Sequence, residues 1–250
     1  MKLLSTNYKL AKEVPGWTIR GLSLAPADIA SPGKSVCTWS TVECRRVCIN
    51  TSGMAQVKGG VYQGETSQER HETFMKYQIH RARIFKTLMF LSAREQFMVQ
   101  LDHEIRREAE SADKKGKKLA VRLNVFSDIV WEKIDVAPCE SIMERYPHVQ
   151  FFDYTKSRVR VRSYAYGGMP SNYYLVFSRS EEESEDDIRD IISIGVNVAV
   201  VFQDVPTSWL GFRVINGDES DHRFLDPKGV IVGLKEKARA HKDISGFVIR

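Results

Sequence analysis

No stretch of this 250-residue chain approaches the ~20 consecutive apolar residues of a membrane-spanning helix, and MKLLSTNYKLAKEVPG at the N-terminus lacks the apolar core of a signal peptide. The expected location is the cytoplasm, with no membrane partner. Cysteine is scarce at four residues and histidine at six, and no internal repeat or low-complexity run is present. In a reducing compartment so few cysteines do not make a disulfide scaffold, and any cluster of them points to metal or redox chemistry. A strong excess of one charge is also missing: 37 Lys and Arg face 32 Asp and Glu, a net +5. That is modest for nucleic-acid binding. Two basic runs stand out, KKGKK (Lys114 to Lys118) and KSRVRVR (Lys156 to Arg162). They read as a solvated loop and an edge strand, with nucleic-acid contact the alternative.

What is there is ordinary globular material, 42% hydrophobic and 28% charged, enough for one domain over residues 1–250. GWTIRGLSL (Gly16 to Leu24) alternates as a strand, and a loop rich in Pro, Gly and Ser follows, opening a cysteine segment over 25–53. Residues 66–112 read as helix: from Glu69 to Ala112 there is no Pro or Gly, and Ile84, Leu88, Leu91, Met98, Leu101, Ile105 and Ala109 form an apolar stripe. One long helix or two in succession is expected. Over 119–240 short apolar runs (LAVRLNVF, VQFFDY, NYYLVFS, VNVAVVF, GFRVIN, GVIVGL) alternate with polar segments, and SEEESEDDIRDIISIG has an acidic first turn, an apolar face and a Gly stop. About seven strands alternating with helices predict an α/β fold with a mostly parallel sheet, forming a full or partial barrel. In such a sheet sites gather where strands end. Asn124, Ser127, Asp128, Thr155, Lys156, Ser178, Arg179, Gln203, Asp204 and Asp218 follow the predicted strands. They mark one mouth, onto which the cysteine loop opens.

Three of the four cysteines, Cys37, Cys44 and Cys48, fall in SVCTWSTVECRRVCINTSG, separated by six and three residues. Three thiolates can hold three irons of a cubane cluster and leave one iron open, or hold zinc with a ligand from elsewhere, or remain buried thiols. The spacing suits zinc poorly, because zinc pairs are usually two to four residues apart and neither a second cysteine pair nor a spaced histidine pair exists. An iron–sulfur cluster is the expectation, with Cys37, Cys44 and Cys48 as metal ligands. Cys139, after Pro138, reads as a packing residue first and a fourth ligand second. Asp128 and Lys156 are site candidates from their strand-end positions. NGDESDHRFLDP gathers Asp218 and Arg223 in one loop, suited either to a polar substrate or to internal salt bridges.

CTWSTVECRRVC, LNVFSDIVWE, FFDYTKS and NGDESDHRFLDPKGVIVGLKEKA together resemble the phage gene-product-eighty-eight family, from about Trp17 to Gly246. More remotely, a strand, a three-cysteine loop and an α/β barrel resemble the radical S-adenosylmethionine enzymes. That resemblance implies a TIM-like partial barrel carrying a [4Fe-4S] cluster, or [3Fe-4S] after loss of the open iron, with S-adenosylmethionine on that iron. It also implies a small-molecule substrate and an electron donor. The cysteine spacing departs from the usual CxxxCxxC. GVIVGLKE matches a GxIxGxxE adenine-contact pattern, which implies Gly229 and Gly233, with Asp128, as cofactor-binding residues; its plain reading is a buried strand ended by Gly233. Lys156, Asp218 and Arg223 are the implied catalytic candidates. The rival expectation is a non-catalytic accessory protein with a structural or redox-sensing cluster, or zinc, that contacts nucleic acid or a host partner.

Overall fold

The computed structural model describes residues 1–6, 10–12, 14–51, 66–137, 139 and 141–250, so the end of the cysteine segment and Pro138 lie outside it. Among the described residues ten strands form one sheet: β1 (Leu4–Ser5), β2 (Trp17–Leu22), β3 (Lys118–Arg122), β4 (Gln150–Thr155), β5 (Tyr173–Ser178), β6 (Val198–Phe202), β7 (Ser208–Trp209), β8 (Phe212–Asn216), β9 (Ile231–Lys235) and β10 (Val248–Ile249). Their order is β1-β2-β3-β4-β5-β6-β9-β8-β7, with β10 beside β6. All pairings are parallel except β1 with β2 and β7 with β8. The path ends at β1 and β7, so the sheet is not closed.

Among the described residues seven helices accompany it: α1 (Val42–Arg46), α2 (Ser67–Met75), α3 (Gln78–Ser92), α4 (Arg94–Asp113), α5 (Ile142–Arg145), α6 (Arg158–Ala165) and α7 (Glu185–Ser193). Neighbouring Phe151 and Phe152 on β4 point to opposite faces and divide the core. On the Phe151 face Leu119, Val121, Tyr173 and Leu175 pack against Phe97, Leu101 and Ile105 of α4, Ile142 of α5 and the buried Trp131. Farther along the same face, Phe177, Val198, Val200 and Ile231 meet Val161 of α6 and Ile188, Ile191 and Ile192 of α7. The strands from β2 to β6 step in one direction, so right-handed crossovers place α4, α5, α6 and α7 on one face. The step from β8 back to β9 runs the other way, and the same rule sends its connection across the opposite face. There a short 3₁₀ turn (Arg223–Leu225) sets Phe224 against Trp17 and Phe152.

The helical region is three helices rather than one or two, broken at Tyr77 and at Ala93, the latter ending α3 and starting α4 with φ −140°. KSRVRVR is not an edge strand. Alternating Arg and Val imitate a two-residue period, but Ser157 caps α6 by accepting from Arg160 N, and Arg160 turns inward to buried carboxylates. The acidic helix is present as α7, with a capping box between Ser184 and Asp187.

Candidate functional site

Because β2 to β6 are parallel, the loops after them share one edge, and the cysteine segment is pinned there loop by loop. Cys37 forms a parallel bridge with Asp128, in the loop after β3, and Asp128 N donates to Val36 O at 2.9 Å. The Cys37 thiol accepts from Ala27 N at 3.1 Å and donates to Phe126 O at 3.4 Å. Asn124 shapes the β3 loop: its Oδ1 accepts from Ser127 Oγ, Ile129 N and Trp131 Nε1 at 2.8, 2.9 and 3.0 Å. Asp128 in turn accepts from Thr155 Oγ1, Lys156 N and Arg160 Nη1, which ties the cysteine segment to the end of β4.

The second anchor is Glu181, from the loop after β5. It accepts from Thr41 Oγ1 at 2.9 Å and Glu43 N at 3.3 Å, placing a carboxylate at the start of α1, where Thr41 also caps Cys44 N. The third is the C-terminal segment. Arg46 donates to Asp243 at 2.9 Å, while Val47 and Cys44 pack with Ala240, Phe247, Val248 and Val201.

The result brings Cys37, Cys44 and Cys48 within reach of one another's charge. Burial pushes all three thiols above the ordinary range, Cys48 to about 12; the other thiols add to the rise at Cys37 and Cys48, and Glu181 and Asp128 add to it at Cys44. Lys156 acts oppositely on Cys44 and Cys48, and Arg83 on Cys48. Lys156 Nζ donates to Ser178 O, Ser178 Oγ and Arg179 O at 3.1, 3.2 and 3.0 Å, and sits 5.0 Å from the Phe247 ring centre. Among the described residues, no three His, Cys, Asp or Glu side chains are gathered so as to hold a metal ion. A single zinc would need its sulfurs about 4 Å apart, given Zn–S bonds near 2.3 Å. A polynuclear cluster held by thiolates spreads its sulfurs wider than a single ion does.

The remaining candidates separate. Cys139, half-buried, pairs its backbone with Val136 in the loop before α5. Asp218 accepts from Lys235 N and from Lys237 Nζ at the ends of β8 and β9. Arg223 is buried on the Phe152 face, where it donates to Ser220 O and lies 3.2 Å from Asp226. The NGDESDHRFLDP loop is thus a strap across the sheet, held also by Arg122 to Asp221 and Tyr154 to Asp221. Gly229 has φ +74° just before β9. Gly233 does not end its strand; it faces the side of Val200 and Ile231, and a Cβ there would stand 2.5 Å from Val205 and 2.7 Å from Val214. Its close approach is made by the chain itself.

Sequence reasoning missed Glu181, masked by the acidic run of the next helix. It also missed the buried network in which Arg160 meets Glu132 through two bonds of 2.9 and 2.8 Å and Tyr173 at 2.9 Å, while Tyr173 donates to Asp153. Burial lifts Asp153 to about 7. In the basic run Arg158 pairs with Asp187, Arg160 is internal and Arg162 is exposed. No helix among the described residues is long and apolar enough to cross a membrane.

Compared with known families, residues 1–250 match the family model described as gene product 88. No curated protein and no solved structure matches the chain.

Proposed function

The chain belongs to the gene product 88 family, and from the placement of its thiols we propose that it is an iron–sulfur protein whose cluster is held by Cys37, Cys44 and Cys48. The observation that supports the reading is that one segment, pinned by the loops after β3 and β5 and by the C-terminal segment, carries the buried Cys37 thiol and the half-buried Cys44 and Cys48 thiols to the edge where the parallel strands end. Metal would displace the protons that burial keeps on these sulfurs. With three thiolates a [4Fe-4S] cluster keeps one iron without a protein sulfur, and loss of that iron leaves [3Fe-4S].

When bound, such a cluster supplies one-electron chemistry and a coordination position at the open iron. The chain's own residues fix the surroundings: Asp128 orients the Cys37 strand, Glu181 holds α1, and Lys156 keeps an ammonium beside Cys44 and Cys48. The finer proposal is that the open iron takes the amino and carboxylate groups of S-adenosylmethionine; its support is that open position and the polar loops sharing the thiols' edge. Asp218 and Arg223 take part in that version only if the strap moves, since each is already paired.

The test is anaerobic purification of the full chain and of the Cys37→Ala, Cys44→Ala, Cys48→Ala and Cys139→Ala variants. The first three lose the brown chromophore and Cys139→Ala keeps it; loss in Cys139→Ala would mean four protein ligands. Added S-adenosylmethionine shifts the magnetic resonance signal of the reduced cluster. An unchanged signal together with no calorimetric heat would leave a structural or redox-sensing cluster as the role.

A further inference from the structure

Resting on the reading of the thiols as a cluster site, we infer that Arg83 is a positioning residue of that site, which joins the two ends of the cysteine segment and keeps a permanent positive charge beside Cys48. Arg83 lies on α3, outside every motif the sequence suggested. Its Nη1 donates to Asn50 O at 3.0 Å and to Asn50 Oδ1. Asn50 is buried, and its backbone N–H donates to the Cys48 thiol. One turn earlier on α3, His80 Nδ1 meets Asn50 Nδ2 at 3.3 Å, so two residues three apart on one helix face grip the same asparagine.

The guanidinium also reaches the other end of the segment. It lies 4.3 Å from the centre of the ring of Phe126, two residues before Asp128, whose backbone donates to Val36 O and bridges to Cys37. A single planar cation therefore connects the Cys48 side, through Asn50, with the Cys37 side, through Phe126. Lysine can supply the charge, but it cannot offer a planar face to the ring together with several donors in a fixed fork.

A cation beside three thiolates favours the more negative, reduced cluster, and net charge is one of the levers that set such potentials. The two functions of Arg83 are separable by substitution. In anaerobically reconstituted full-length protein, Arg83→Gln lowers the midpoint potential and speeds cluster loss. Arg83→Lys restores most of the potential while cluster loss stays fast. Equal potentials in wild type and Arg83→Gln at equal iron content would overturn the electrostatic role, and wild-type cluster lifetime in Arg83→Lys would overturn the positioning role. Should Arg83→Gln fail to fold by circular dichroism, the lifetime measured in Arg83→Lys decides. If the wild type lacks iron and sulfide, the cluster reading fails first and takes this inference with it; the two failures are thus distinct.

Discussion

Arg160→Ala is the sharpest perturbation of the scaffold beneath the thiols. The guanidinium is 4% exposed and binds Glu132 through two bonds, Asp128 at 2.7 Å and Tyr173 at 2.9 Å. Removing it strands two buried carboxylates, and breaking a buried pair by deleting one partner typically costs about 3–5 kcal/mol. At about 2–4 °C per kcal/mol for a chain of this size, Tm falls by roughly 6–20 °C. Urea unfolding followed by circular dichroism reads the change as a lower midpoint with an unchanged slope. The control is Arg158→Ala. Arg158 pairs with Asp187 with its side chain 42% exposed, and such a pair contributes only about 0–1 kcal/mol. Combining Arg160→Met with Glu132→Leu removes the bidentate pair as a unit and recovers part of the loss. An Arg160→Ala variant within about 1 kcal/mol of wild type, the ordinary size of an exposed pair, would refute the reasoning.

Gly233→Val destabilises the protein by about 1–3 kcal/mol through collision with Val205 and Val214 while leaving iron and sulfide content unchanged; stability at wild-type level would mean that face is not closed by the chain. Asp153 sets a pH dependence. Its carboxyl is raised by burial to about 7 in the fold, whereas an unfolded aspartate titrates near about 3.9. Its contribution is therefore fully present below about 4 and lost as pH rises through about 7. Urea midpoints should fall between pH 5.5 and 8, and the fall should flatten in Asp153→Asn; an equal slope in the variant would assign the effect elsewhere. Asn124→Ala removes the acceptor of three hydrogen bonds and leaves buried donors unmet, at about 1–3 kcal/mol for each such group. Hydrogen exchange should show the loop from 123 to 131 opening first.

The central strands were legible because a sheet buried on both faces must be apolar throughout, and VQFFDY, NYYLVFS and VNVAVVF became β4, β5 and β6. The helix α7 was legible because its acids and its Gly stop follow the helix dipole and capping rules. The two-residue strands β1, β7 and β10 were not, since nothing so short carries a period. α6 was misread because the Arg and Val alternation outweighed the local cap signal of Ser157, and the buried partners that turn Arg160 inward are tertiary facts. Of the candidate site, the thiols and Asp128 could be named from spacing and strand ends. Arg83 and Glu181 could not, because each reaches the thiols from an element that reads as an ordinary charged surface. The strap's course over the Phe152 face also left no mark in the sequence; it follows from the backward step between β8 and β9, which only the strand order reveals.

The most direct test of the account is a count of iron and acid-labile sulfide in anaerobically purified full-length protein, made alongside its absorption spectrum. A [4Fe-4S] cluster on Cys37, Cys44 and Cys48 predicts roughly four irons and four sulfides per chain with a broad brown charge-transfer band. Stoichiometric zinc without sulfide, or metal-free protein in which all three thiols remain open to alkylation after unfolding, would contradict it.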